Sequence, residues 1–279
     1  DMKIGVTEYR LSFFYNWGNR IGRPTMTENN KRDWNSTAAG WKKWHPISER
    51  AARTATEIML KMAGVSEGYR VVDFATGLGD TAAACAKKVG PSGHVLATDA
   101  APAMLEFATE YIASQNLTNV DFQVANFDEL KLEMKNFDAG LCRWGLMFAK
   151  DLVASLAAIR GLLRPGGSLG AIVWGPPEQA EVHSLTNRVL MRSLGLPAVD
   201  TGKGTPFGLC DREALERSFG AAGFKNIESQ VVSVVYDFSS ADLGCAHDIL
   251  DSTIDKAAGS RNHLPPEEIP WDAIRELLL

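Results

Sequence analysis

"VVDFATGLGDTAA", residues 71–83, runs from an apolar stretch into a loop carrying Gly77 and Gly79 and then into small residues able to open a helix. The same sequence of features continues downstream. A helix is expected from about Asp80 to Val89, "HVLATD" (94–99) reads as a second strand, and Ala101 to Gln115 reads as a helix with Met104, Phe107, Ala108 and Tyr111 inward. "VDFQVAN" (120–126) and "FDAGLCRW" (137–144) are a third and a fourth strand, and residues 151–163 are a helix. "GSLGAIVW" (167–174) is a fifth strand after the Pro165-Gly166-Gly167 turn. Strands alternating with helices of this length predict an α/β fold, a doubly wound and mostly parallel sheet covered on both faces.

Outward from this core the pattern loosens. Residues 48–63 place Ala52, Ala55, Ile58, Met59 and Met62 on one helical face, with Ser48 as the expected N-cap. Ahead of them, Trp34, Trp41 and Trp44 share a face if a helix forms across "DWNSTAAGWKKWH", and that face either closes over a flat substrate or packs on the domain. Residues 1–26 show no sustained period, and "MTENNKRDW" from Met26 begins like a native start, so 1–26 reads as an extension of uncertain origin. The expected organisation is an N-terminal helical lid (27–64), a core (65–175), a cap insertion (176–210) and a C-terminal part with extra helices (211–279). Within these, helices are expected at about 178–194, 211–222, 240–258 and 266–279, and a long strand at 225–238.

With 279 residues and 45% hydrophobic composition, the chain can bury a substantial core. Its formal charge of -5, without a Lys/Arg cluster, argues against nucleic acid. The four cysteines, Cys85, Cys142, Cys210 and Cys245, form no C-x-x-C pair, so neither a metal site nor a disulfide scaffold is expected. No apolar run reaches the roughly 18–20 residues of a transmembrane segment, which makes a cytoplasmic protein, monomer or homodimer, the expectation.

The glycine turn admits two ligands. "GLGDTA" fits G-x-G-x-x-A, and Asp99 stands 20 residues beyond Gly79, where a carboxylate can take a ribose diol, so a nicotinamide dinucleotide is one reading. Asp73 separates the cases. It lies in the strand four residues before Gly77, where a carboxylate would repel the two phosphates of a dinucleotide but attract a cationic ligand. S-adenosylmethionine has an adenosine, a ribose diol, a sulfonium and an α-amino group, and no phosphate. Asp73 then faces the amino end of the methionine portion, Gly77 and Gly79 allow close backbone approach, Asp99 binds the ribose, and Ala100 and Met104 pack near the adenine.

With those residues in view, D-x-A-T-G-x-G-D resembles motif I of the class I S-adenosylmethionine-dependent methyltransferases, especially the ubiquinone/menaquinone biosynthesis C-methyltransferase (UbiE-like) type. "VLATDAAPAML" is similar to the second-strand acidic motif of that family. "QVANFDEL" resembles its adenine-binding segment, with Asn126 where an aspartate is usual and Phe127 placed to stack on the ring. "FDAGLCRWGLMF" and "LLRPGGSLGAIVW" resemble its fourth- and fifth-strand motifs. The resemblance covers about residues 30–175 and implies a Rossmann-like methyltransferase fold with a helical cap. It also implies cofactor contacts that include Ala75 and Cys142, with no metal. The family's sheet ends in a strand hairpin, whereas this chain stops at "WDAIRELLL", so the seventh strand is expected to be missing, truncated or supplied from elsewhere.

Open α/β sheets bind ligands at the carboxyl ends of their strands near the switch point. That puts "CRWGLMF" (142–148) beside the reacting methyl, with Arg143, Trp144 and Met147, together with Trp41 and Trp44, as candidate substrate-binding residues. A core role for Trp144 and a salt bridge for Arg143 stand beside that reading. The candidates for acid–base or charge work are His45, His183 and Arg143. The expectation is methyl transfer from S-adenosylmethionine, leaving S-adenosylhomocysteine, to carbon or oxygen of a small aromatic or quinone-like acceptor. A non-catalytic regulatory protein that binds the same cofactor is the alternative, and an NAD-dependent dehydrogenase a third.

Overall fold

The computed structural model describes residues 2–6, 34–180 and 201–236. Its sheet is built from β1 (Met2–Val6), β2 (Arg70–Phe74), β3 (His94–Asp99), β4 (Val120–Val124), β5 (Phe137–Arg143), β6 (Leu163–Ile172) and β7 (Ile227–Val231). The spatial order is β4-β3-β2-β5-β6-β1-β7, and every pairing among these strands is parallel. The helices are α1 (Trp34–Met62), α2 (Asp80–Val89), α3 (Pro102–Ser114), α4 (Leu152–Leu162) and α5 (Arg212–Ala221). This is the doubly wound sheet of the sequence expectation. The order reverses between β2 and β5, which places the switch-point crevice at their carboxyl ends.

Each face of the sheet carries its own core, because strands covered on both sides need apolar residues at odd and even positions alike. On one face Ala55, Met59 and Leu60 of α1 and Ala82, Cys85 and Ala86 of α2 cover Val71, Val95, Ala139 and Leu141. On the other, Leu156 and Ile159 of α4 and Leu215 and Phe219 of α5 cover Val72, Phe74, Phe137, Cys142 and Leu169. β2 and β3 are accordingly buried along almost their whole length, while β4 at the edge has no fully buried residue.

α1 is longer than the periodicity of residues 48–63 implies: it begins at Trp34 and runs through Pro46. A proline inside a helix removes one backbone hydrogen bond and crowds the preceding turn. The buried stripe of Ala38, Ile47, Ala52, Ala55 and Met59 continues across it, and packing outweighs the local penalty. Ser48 is therefore mid-helix, not an N-cap; its hydroxyl donates back to the carbonyls of Trp44 (3.3 Å) and His45 (3.2 Å).

β6 starts earlier than expected. Leu163 pairs with Phe137 and Ser168 with Ala139, so Pro165, Gly166 and Gly167 form an irregularity inside one strand. β7 is shorter than the expected 225–238 strand because its partner β1 has five residues, in register from Met2↔Ile227 to Val6↔Val231. β1, within the segment read as an extension, sits between β6 and β7 and pairs with both. The expected helix at 178–194 opens with a short 3-10 turn, Pro177–Gln179; the rest of it, and the expected helices at 240–258 and 266–279, lie outside the described residues. No helix among the described residues is long and apolar enough to cross a membrane.

Candidate active site

The turn after β2 is wound left-handed at three positions: Ala75 (φ 51°), Gly77 (φ 58°) and Gly79 (φ 88°). The two glycines serve different neighbours. A Cβ on Gly79 would lie 3.0 Å from Cβ of Ala108, so this glycine lets α3 close on the start of α2. A Cβ on Gly77 would meet nothing within 4 Å, which leaves that side of the turn open to a ligand.

Two carboxylates flank the turn from adjacent strands. Asp99, ending β3, accepts backbone N–H bonds from Gly77 (2.9 Å) and Ala101 (2.9 Å), tying the turn to the start of α3. Burial raises its pKa above the ordinary carboxylate value against the pull of those bonds. Asp73 in β2 has no exposed surface. Its Oδ2 accepts from the Thr76 hydroxyl (2.7 Å), whereas Oδ1 has no hydrogen-bond partner. Desolvation dominates there and pushes its pKa up to about 7, opposed by the Thr76 bond and by Arg143.

The ends of β4 and β5 close on the same turn. A Cβ on Gly145 would stand 2.6 Å from Cβ of Ala75, 2.8 Å from Sγ of Cys142 and 3.1 Å from the Phe127 ring, so these four residues converge. Phe127 also lies against Phe74 at 6.3 Å between centroids. The Asn126 carbonyl oxygen accepts from the backbone N–H of Asp128 (3.0 Å), capping a 3-10 turn at Phe127–Glu129. The Cys142 thiol is fully buried with its pKa pushed up, which makes it an inert packing group. Met147 is buried beside it in the same core, Ala100 is exposed, and Met104 packs with Ala38, Leu78 and Ala101 under the first turns of α1.

Arg143, at the end of β5, is the tie between lid helix and core. Its guanidinium donates to Thr56 Oγ1 of α1 (2.7 Å) and is ion-paired with Asp80 at the start of α2. It also lies over the Trp144 ring, 4.8 Å from the centroid. His45 Nε2 sits 3.9 Å from Asp80 Oδ1, beyond hydrogen-bond reach, with its ring edge-on to Tyr111 at 4.4 Å. Burial lowers the His45 pKa despite the nearby carboxylates of Asp80 and Glu49, so the imidazole is neutral at pH 7. Trp144 adopts φ 58°, rare for a bulky residue, and stacks flat on Trp174 at 4.5 Å and 6°.

The structure thus brings together Asp73, Ala75, Gly77, Asp99, Phe127, Cys142, Arg143 and Trp144. Of the tryptophans proposed for the lid, Trp34 packs edge-on against Phe148 (5.1 Å) and Trp44 is half-buried, while α1 turns Trp41 outward. His183 lies outside the described residues. Sequence reasoning assigned no role to Thr56, Thr76, Asp80 or Trp174. For Asp80 a signal existed, since an acidic residue in the first turn of a helix complements its dipole; Thr56 is 87 residues from Arg143, and nothing local announces that contact. Among the described residues three buried side-chain polar atoms lack a partner, namely Asp73 Oδ1, His45 Nε2 and Trp144 Nε1. All three belong to the residues around this crevice. Asp73, Asp80 and Asp99 bring carboxyl groups to the crevice, Asp80 already paired with Arg143, and a cationic ligand suits the remaining two. Among the described residues no cluster of side chains is suited to holding a metal ion.

The fold and the motif set are similar to those of the class I S-adenosylmethionine-dependent methyltransferases. Residues 71–167 match the family model of the methyltransferase domain. A demethylmenaquinone methyltransferase of Staphylococcus aureus (strain Newman) is 28% identical over 178 residues, 61% of this chain and 73% of that protein. An uncharacterised protein of Mycobacterium tuberculosis (strain ATCC 25618 / H37Rv) is 34% identical over 128 residues. That match spans 46% of this chain and 45% of the relative, so the chain covers about half the length of that relative. The methyltransferase solved in complex with the Haloferax volcanii Trm112 methyltransferase activator superposes with a TM-score of 0.50 at 22% identity, over 68% of this chain and 76% of that one. The [4+2]-cyclase SpnF does so at 0.50 and 18%, over 68% and 72%. A fold shared with a cyclase leaves the reaction to be argued from the site.

Proposed function

We propose that this chain binds S-adenosylmethionine in the crevice between β2 and β5 and transfers its methyl group to carbon or oxygen of a small aromatic or quinone-like acceptor. The observation that carries the reading is the pair of carboxylates on adjacent strands around an open glycine turn, one of them buried with an oxygen that has no partner. The residues fit the group. Asp73 Oδ1 takes the α-amino end, Asp99 and the Gly77 backbone hold the ribose, and Phe127 lines the adenine. Asn126 offers its carbonyl oxygen, already engaged by Asp128, through the remaining lone pair.

Bound there, the cofactor supplies a methyl activated by its sulfonium. The chain's own work is alignment and exclusion of water, which effective-molarity arguments value at about 7–11 kcal/mol at most. Arg143 and Trp144 orient the acceptor, and α1, held down through Thr56, covers the site. Where the acceptor has a proton to lose, neutral His45 receives it. The quinone-like acceptor is supported by the similarity to demethylmenaquinone methyltransferase.

Calorimetric titration with S-adenosylhomocysteine tests the cofactor. Micromolar binding that Asp99→Ala and Asp73→Ala each weaken at least about tenfold, some 1.4 kcal/mol, is expected. Absence of binding by the intact chain would reject the assignment.

A further inference from the structure

Trp144 combines three features that packing alone does not explain. Its backbone is left-handed at φ 58°, a conformation that a bulky residue keeps only where surrounding structure enforces it. Its indole stacks on Trp174 at 4.5 Å, and the Arg143 guanidinium lies over the ring at 4.8 Å. Its Nε1–H is buried and has no acceptor among the described residues. A buried indole N–H normally finds a partner, because leaving it unmade forfeits the hydrogen bond that water would have supplied. The ring is held against Trp174, and its one hydrogen-bonding edge stays without a partner among the described residues, in the residue that follows β5.

We infer that the Trp144 indole N–H is a ligand-orienting donor, reserved for a carbonyl or carboxylate oxygen brought into the crevice. The inference rests on the reading of this crevice as a cofactor and acceptor site. An oxygen is required because indole N–H is a donor only, and the ammonium and sulfonium of the cofactor accept nothing. Two oxygens meet the description, the carboxylate of the cofactor's methionine portion and a ring carbonyl of a quinone-like acceptor. Stacking on Trp174 holds the ring and so fixes the direction of the bond. The donor therefore selects for an oxygen at a set position, and discriminates against an otherwise similar aromatic without one.

The test uses Trp144→Phe, which keeps an aromatic ring to stack on Trp174 and removes the N–H together with the second ring of the indole, with 1,4-naphthoquinone as the acceptor probe. Calorimetry compares intact protein and variant with S-adenosylhomocysteine, with 5′-methylthioadenosine, which lacks the amino-acid portion, and with naphthoquinone added to the S-adenosylhomocysteine complex. Weakening of S-adenosylhomocysteine by about fivefold or more, with 5′-methylthioadenosine unchanged, supports the inference and assigns the N–H to the cofactor carboxylate. Equal cofactor binding with naphthoquinone weakened to the same degree supports it and assigns the N–H to the acceptor. Unchanged affinity for all three by a folded variant overturns it. If the variant does not fold, the indole ¹H–¹⁵N resonances of the intact protein decide. One of them moving downfield on saturation with either ligand upholds the inference, and none moving overturns it. Failure of the unmodified protein to bind S-adenosylhomocysteine is a separate result, which removes the proposed function itself.

Discussion

Asp73 shows how one buried atom can trade stability for binding. A carboxyl with no exposed surface and one unpartnered oxygen resists ionisation, and its pKa stands at about 7 in the folded protein against 3.8 for the free side chain. Between those two values the folded state holds a proton that the unfolded state has lost, so stability falls as pH rises and the full penalty is present above about pH 7. Asp73→Asn keeps an acceptor for Thr76 and cannot ionise. Its stability advantage over the parent protein, read from urea midpoints, should widen between pH 5 and pH 8 by about 2–3 kcal/mol, at roughly 1.4 kcal/mol per pH unit up to the folded pKa. Parallel pH profiles for the two proteins would show that Asp73 is not held in this way. A cationic group beside Oδ1 reverses the preference. Binding of S-adenosylhomocysteine near pH 6.5 should then release protons, detected as a dependence of the calorimetric enthalpy on the buffer's ionisation enthalpy.

At the scale of elements, the question is what holds α1 against the sheet. Its apolar stripe supplies most of the contact, but the register along β5 is set by Arg143, which reaches both Thr56 and Asp80 from a largely buried position, its side chain 11% and that of Asp80 9% exposed. Removing one partner of such a pair leaves an uncompensated buried charge, which costs about 3–5 kcal/mol; replacing both is far milder. Arg143→Met should therefore lower the urea midpoint strongly, and adding Asp80→Asn should restore much of the loss. If the double variant is as unstable as the single one, the pair does not work as a unit and the Thr56 contact carries the tie. The same coupling bears on chemistry, because His45 faces Asp80 from the far side of that pair. Changes that free Asp80 from Arg143 should raise the His45 pKa, observable in the titration of its imidazole resonances.

Across the whole molecule, what could be read in advance follows from the range of the forces involved. β2, the glycine turn, α2 and β3 are fixed by neighbours within a few residues, and "VVDFATGLGDTAA" with "HVLATD" announces them nearly to the residue. The helix through Pro46 was not legible, because packing on α2, α3 and β6 supplies what the local sequence withholds. Nor was the Arg143–Asp80 pair, made across 63 residues, or the left-handed turn at Trp144, which has no glycine to mark it. The least local feature is β1, whose five residues join β7 to the rest of the sheet. Among the described residues the ladder bonds of β7 run to β1, and α5, which packs on α4, also contacts β7. Deleting residues 1–25 takes away that ladder but leaves β2 to β6 and both cores in place. Amide exchange should then lose protection at residues 227–231 while 70–74 and 94–99 keep theirs. Retained protection at 227–231 would mean that β7 does not depend on β1, and that another segment holds the edge of the sheet together.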